Sequence, residues 1–122
     1  MARHWLVLGA LSGFVSVAAG AFGAHALKAR LAPELLAVFQ TGAQYQMYHA
    51  LALVGVGLWA AQNPGASAGV PGWCFTAGSA IFSGSLYALA LTGTRWLGAI
   101  TPLGGLLFLA GWLSLAVAAW RA

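Results

Sequence analysis

The sequence predicts an all-α membrane protein, an up-and-down bundle of four transmembrane helices with a short interfacial helix between spans one and two. Four apolar stretches, at about residues 5–27, 45–61, 73–92 and 101–120, have the roughly 17–25 residues that a helix needs to cross a hydrocarbon core about 30 Å thick. The chain is 61% hydrophobic and only 5% charged, and every charged side chain lies outside or at the edge of a stretch. Such exclusion is expected where burial of a charge in lipid is costly.

The charged side chains lie singly near the ends of the spans rather than together in a patch. Lys and Arg in such places anchor helices at the lipid headgroups. The net charge of +4 therefore predicts membrane lipids, and no nucleic acid, as partners. Cys74 is the only cysteine, which excludes an intrachain disulfide and a thiolate metal cage. We expect no metal, no cofactor and a single transmembrane domain over residues 1–122.

The first connection has the features of a short helix. Span one ends at the Lys28–Arg30 charges. Pro33 then suits the first position of a helix, and Glu34 suits the first turn because the helix dipole favours a carboxylate there. We interpret residues 32–40 as the interfacial helix, which Thr41-Gly42 separates from span two.

The other two connections differ in character. Residues 62–72 are rich in turn formers and carry no charge, and residues 93–99 form a tight turn. Thr101-Pro102 supplies an N-cap and a first helical position for span four.

The basic residues orient the chain only weakly. Arg3 and Arg121 lie on the side that holds both termini, whereas Lys28, Arg30 and Arg95 lie on the opposite side. Because basic residues favour the cytoplasmic side, this count by itself points the termini away from the cytoplasm.

Helical wheels separate small residues from large apolar residues in spans one, three and four. Because lipid is as apolar as leucine, membrane helices associate through close backbone approach and cross-helix hydrogen bonds. The small faces therefore predict contacts within the bundle, with a second copy of the chain in a homo-oligomer, or with a larger membrane complex. A transport pathway along these faces is the alternative. Phe75 and Phe82 are predicted to point away from the small face of span three. The predicted helix-packing residues are Gly9, Gly13, Ser16, Gly20, Gly23, Ser79, Ser83, Gly104, Gly105 and Gly111.

The start of span two is the most polar part of any span. Gln44, Tyr45, Tyr48 and His49 share one face of the helix, which we expect to point into the bundle near one membrane surface. His49 should have a hydrogen-bond partner, such as a tyrosine, a threonine or a backbone carbonyl of a neighbouring span, because an unpaired buried imidazole is costly. Two interpretations stay open: side chains that only hold the helices together, and a ligand pocket. The pocket candidates are Gln44, Tyr45, Tyr48, His49, His25, Tyr87 and Thr101.

Four motifs in this chain resemble one known family. They are Gly20-Ala-Phe-Gly-Ala-His-Ala-Leu27, Thr41-Gly-Ala-Gln-Tyr-Gln-Met-Tyr-His-Ala-Leu51, Phe82-Ser-Gly-Ser-Leu-Tyr87, and Ile100-Thr-Pro-Leu-Gly-Gly105 with Gly111-Trp112. Together they are similar to the small bacterial inner-membrane family known as domain of unknown function 423, which is related to animal transmembrane protein 256.

The resemblance covers the whole chain in order. It implies an integral inner-membrane protein with four spans and with no assigned activity, cofactor or catalytic residue. Relatives usually carry basic residues in the second connection and the C-terminal tail, which implies cytoplasmic termini. This chain lacks the basic second connection and keeps only Arg121 at its end. We nevertheless adopt cytoplasmic termini as the prediction.

Three functions are compatible with the sequence. The first, which we favour, is a non-enzymatic structural, accessory or lipid-binding component, because no catalytic motif is present. The second is a redox-linked protein that binds a quinone or another small ligand at the His49 cluster. A haem held by His25 and His49 is disfavoured, because an ideal helix places His25 on the face opposite the small residues. The third is a small transporter, which would lack the membrane-embedded carboxylate that proton coupling needs.

Overall fold

The computed structural model describes residues 2–122, which form four long helices and no strand. They are α1 (Ala2–Leu27), α2 (Pro33–Gln62), α3 (Gly69–Thr92) and α4 (Thr101–Arg121), with a 3₁₀ turn at Arg95–Ala99 before α4. By length and composition, α1, α3 and the segment Arg95–Arg121 are able to cross a membrane. The predicted all-α class is confirmed. Helix α2 is the longest, with 30 residues, but the glutamines in its first half lower its hydropathy.

The predicted interfacial helix does not exist as a separate element. Pro33 and Glu34 do begin a helix, but α2 runs from there without a break through Thr41 and Gly42. The Thr41 hydroxyl donates to the Ala37 carbonyl 3.0 Å away, one turn back in the same helix. Gly42 is buried, and a Cβ atom there would lie 2.9 Å from the Tyr87 ring. This glycine therefore allows close packing against α3 instead of ending a helix.

Helix α1 contains an irregular segment near its C-terminal end. Residues Ala18–Gly23 form a π-helical turn, and regular α-helix resumes at Ala24. Such wide turns are usually short insertions within an α-helix and often occur at functional sites.

Gly93 caps the C-terminal end of α3 with a φ of 70°. Glycine adopts this left-handed conformation without a steric penalty.

Helices that follow one another in the chain pack together, α1 on α2, α2 on α3 and α3 on α4, and these are the extensive helix contacts of residues 2–122. Helices α1 and α2 approach closely at Gly9 and Gly57. A Cβ atom at Gly9 would lie 2.8 Å from the Ala50 carbonyl oxygen, and one at Gly57 would lie 2.8 Å from the Leu6 nitrogen. The main core takes buried residues from all four helices; its buried members are Trp5, Leu53, Val56, Ala68, Phe75 and Phe108.

The predicted packing residues divide by burial. Gly9, Ser16, Ser79, Ser83, Gly104 and Gly111 are buried, Gly13, Gly23 and Gly105 are half-buried, and Gly20 is exposed. The prediction that Phe75 points away from the bundle is wrong, because Phe75 is fully buried and Phe82 is half-buried. The wheel assumed one buried face on α3, whereas α3 packs against α2 on one side and α4 on the other.

Candidate functional site

His49 lies at the centre of an aromatic cluster where α2, α3 and α4 meet. Its side chain is only 5% exposed. The imidazole stacks on the Phe108 ring with centroids 3.5 Å apart and planes 4° from parallel. Phe75 and Trp112 complete the surroundings, with centroids 5.5 and 5.8 Å from that of His49. Two adjacent helices thus hold the imidazole in one orientation.

Both ring nitrogens of His49 have hydrogen-bond partners. Its Nδ1 atom lies 2.8 Å from the Tyr45 carbonyl oxygen, which can only accept, so Nδ1 carries the proton. The Trp112 indole Nε1–H donates to His49 Nε2 across 3.1 Å. An indole nitrogen can only donate, so Nε2 is unprotonated and the imidazole is neutral. The partner in the neighbouring span is therefore a tryptophan, and the carbonyl belongs to the same helix as His49.

A groove of about 740 Å³ lies beside this pair, open to the outside of the bundle between α2 and α4. We call it the α2/α4 groove. The walls are aromatic and aliphatic, and the Trp112 ring, 47% exposed, forms part of them. The residues that line the groove are Tyr45, Tyr48, His49, Phe82, Pro102, Gly105, Leu106, Phe108, Leu109 and Trp112.

The other polar residues at the start of span two do not join His49 inside. Gln44, Tyr45 and Tyr48 are exposed, the two tyrosines by 38% and 48%. The expectation that they face the interior is wrong. They lie where α2 borders the outside, and the Gln44 amide donates to the Tyr48 hydroxyl. Tyr45 packs on Phe82 of α3, with ring centroids 4.8 Å apart. Within six consecutive residues of α2, some side chains thus lie in the core and others on the outside of the bundle.

A second polar cluster joins α1, α2 and α3 on the other side of α2. The Tyr87 hydroxyl donates to Gln46 Oε1 across 2.6 Å, and Gln46 Nε2 donates to the Ser12 hydroxyl across 3.2 Å. These residues line a cleft of about 330 Å³ between α1 and α3. The buried Ser79 hydroxyl lines the same cleft and has no hydrogen-bond partner. Tyr87 is therefore separated from His49, although both were pocket candidates.

The remaining candidates lie apart from both clusters. The Thr101 hydroxyl is 2.6 Å from the Ser85 hydroxyl, at the contact between α3 and α4. His25 is exposed and lines a small pocket with Lys28 and Gln40. Within residues 2–122, no three His, Cys, Asp or Glu side chains come close enough together to hold a metal ion.

Sequence reasoning missed two residues that organise these clusters. Gln46 joins three helices, and Trp112 fixes the tautomer of His49. Trp112 follows Gly111, a predicted packing residue of span four, so a position near the packed side of that helix was predictable. Its pairing with a histidine 63 residues away in the chain was not, because helical periodicity carries no information on the rotation of one helix against another.

The apolar outer faces and the internally paired polar groups define this chain as a small helical membrane protein. The model of the family described as "Protein of unknown function (DUF423)" matches residues 19–105. The chain belongs to this family, as its motifs predicted. It is 46% identical over 118 residues to the UPF0382 membrane protein YwdK of Bacillus subtilis, with 96% of each chain covered.

Other relatives match to a similar extent. The UPF0382 membrane protein SH2409 of Staphylococcus haemolyticus is 45% identical over 119 residues, which cover 98% of this chain and 97% of the relative. A UPF0382 membrane protein of Haemophilus influenzae is 44% identical over 122 residues, which cover 99% and 97%. No solved structure matches the chain at a significant level.

Proposed function

We propose that this protein is a non-enzymatic, lipid-binding component of the bacterial inner membrane, and that the α2/α4 groove holds the apolar chain of a membrane lipid. The hydrogen bonding of His49 supports this proposal. Both ring nitrogens and the Trp112 indole N–H are already paired within the protein. The floor of the groove therefore offers aromatic and aliphatic surface, which suits a hydrocarbon chain.

Four spans follow if α2 also crosses the membrane. Two of its polar side chains are directed into the bundle, because Gln46 is hydrogen-bonded to α1 and α3, and His49 to α4. Gln44, which is exposed, is paired with Tyr48 of the same helix. Helix α2 also packs along most of α1, from Gly57 beside Leu6 to Phe39 beside Gly23. A helix that follows a membrane span over this length runs through the same depth of the bilayer. We further propose that both termini are cytoplasmic.

A photo-crosslinkable phosphatidylcholine with a diazirine in its acyl chain tests the groove. In the wild-type protein, mass spectrometry should find crosslinks at Leu106 and Leu109. Gly105→Leu should reduce these crosslinks at least fivefold, because the new side chain occupies the groove. A Cβ atom at Gly105 has its nearest neighbour 4.0 Å away, so the protein should still fold.

Gly55→Leu is the matched control. Gly55 is exposed on α2 and a Cβ atom there has no neighbour within 4 Å, so this variant should keep the wild-type crosslinks. Equal crosslinking in all three proteins, spread over every outer face, would show that lipid only surrounds the protein and has no site in the groove.

A quinone is a second candidate ligand of the α2/α4 groove, because Tyr48 offers it a hydrogen-bond donor. Its hydroxyl oxygen accepts the Gln44 amide proton, so its own O–H is free to donate to a quinone carbonyl, and the aromatic walls suit a flat ring. A short-chain benzoquinone should then displace the crosslinkable lipid, and Tyr48→Phe should weaken that displacement. If the quinone has no effect at concentrations that saturate known quinone sites, this candidate is excluded.

A further inference from the structure

A second groove follows α1 and α2 from one end of the bundle toward its middle. At the end, a pocket of about 290 Å³ is lined by His25, Lys28 and Gln40 together with small residues. Next to it, a pocket of about 400 Å³ continues toward Ser16 and Met47. Gly20, Ala21 and Gln40 line both pockets, so the two form one continuous depression, which we call the α1/α2 groove.

The polarity of this groove changes along its length. Its outer end has the Lys28 ammonium group and the His25 imidazole. The amides of Gln40 and Gln44 follow, and Val17 and Met47 lie at the inner end. Gln44 uses one amide proton on Tyr48, which leaves the other for an acceptor in the groove. Charge, hydrogen-bond donors and apolar surface thus follow one another in the order of the phosphate, ester carbonyls and acyl chain of a phospholipid.

The length of the groove fits one leaflet of a bilayer. Lys28 and Ser16 are 12 positions apart, which corresponds to about 18 Å along a helix. Half of a hydrocarbon core about 30 Å thick is about 15 Å. A groove that starts at the charged end of α1 therefore extends from the headgroup region to about the midplane.

The sequence explains why a groove exists at this place. Gly20, Ala21, Ala24 and Ala43 give its floor little side-chain volume, and the π-helical turn at Ala18–Gly23 lies beside it. Arg30 and Arg95 add positive charge at the same end of the bundle, and the single acidic residue, Glu34, does not line the groove. The local charge at the groove entrance is therefore positive.

We propose that the α1/α2 groove is a binding site for one anionic phospholipid, with the phosphate at Lys28, His25 and Gln40 and an acyl chain beside Gly20 and Ala43. The occupant is a lipid of the surrounding leaflet rather than a soluble anion, because the apolar half of the groove is continuous with the charged half. Tyr48 borders both grooves, but the α1/α2 groove shares no other lining residue with the α2/α4 groove. The proposal does not depend on the function proposed for the α2/α4 groove.

Native mass spectrometry of the full-length protein in detergent micelles tests this site. The protein is titrated with phosphatidylglycerol or with phosphatidylcholine that has the same acyl chains. The wild type should bind the first phosphatidylglycerol more tightly than the first phosphatidylcholine. Lys28→Gln should reduce this preference about fivefold, the effect expected of one basic residue at an anionic membrane surface. Ala21→Leu should remove the phosphatidylglycerol-selective binding because it fills the groove.

Two matched variants serve as controls. Arg95→Gln removes the same charge from the same end of the bundle without touching the groove, and Ala10→Leu enlarges an exposed alanine of α1 that does not line the groove. Both should keep the wild-type preference, as should Gly105→Leu in the other groove. Equal affinity of the wild type for the two lipids would overturn the proposal, and so would equal losses in Lys28→Gln and Arg95→Gln.

Discussion

Gly9→Leu should separate α1 from α2 and lower the free energy of unfolding by about 3 kcal/mol or more, at the upper end of the costs of overpacking. The reason is the kind of atom that a side chain would meet. A Cβ atom at Gly9 would lie 2.8 Å from both the Ala50 carbonyl oxygen and the Val54 nitrogen. These are backbone atoms of a regular helix, so they cannot move aside by changing a rotamer. Thermal unfolding of the purified protein in detergent measures the loss.

Gly13→Leu, one turn further along α1, gives an internal comparison. From the sequence alone, Gly13 and Gly20 are equivalent to Gly9, but a Cβ atom at Gly13 would have its nearest neighbour 3.8 Å away. We expect a smaller loss there than at Gly9. If the two variants unfold at the same temperature, α1 and α2 do not approach each other at Gly9 as closely as described.

His49→Ala should lower the free energy of unfolding by about 2–4 kcal/mol. The change leaves a cavity beside Phe108 and removes the acceptor of the Trp112 indole proton. A large-to-small core substitution costs a few kcal/mol, and an unpaired donor adds to that cost. Trp112→Phe should cost about 1–3 kcal/mol, because His49 Nε2 then loses its donor. Chemical denaturation of both single variants and the double variant gives the coupling between the two side chains.

The same variant distinguishes the two interpretations of the polar cluster. If His49 only holds the helices together, the folded fraction of His49→Ala keeps the lipid crosslinks at Leu106 and Leu109. If His49 contacts the bound molecule, the crosslinks fall further than the folded fraction does. Unchanged stability in His49→Ala would contradict the hydrogen bonds described for both ring nitrogens.

Local signals in the sequence predicted the start of α2 and outer faces of spans one and four. Pro33 takes the first position of α2 as predicted, and Phe14, Leu106 and Leu113 are more than 60% exposed. The helix start at Thr101-Pro102 is one residue off, because Ile100 and not Thr101 is the N-cap of α4 and no side chain caps it. These features depend on one helix at a time. Each requires only the dipole, the proline ring or the periodicity of the segment itself.

The predictions that were wrong concern contacts between two helices. Gly42 looks like a helix breaker in the sequence, but it is a contact residue because the Tyr87 ring of α3 lies against it. Tyr48 and His49 are adjacent in the chain, yet one is 48% exposed and the other 5%. Which of them faced inwards was decided by where α4 packs. A helical wheel cannot supply that position.

Labelling of single cysteines tests whether α2 crosses the membrane. In a Cys74→Ala background, Ala29→Cys and Ser67→Cys place one exposed thiol before α2 and one after it. A membrane-impermeant maleimide is added to right-side-out and to inside-out vesicles of the expressing cells. We expect the two positions to be labelled from opposite sides, with Ser67→Cys reached from the cytoplasmic side together with the termini. Labelling of both positions from the same side would show that α2 does not cross, and would contradict the four spans proposed above.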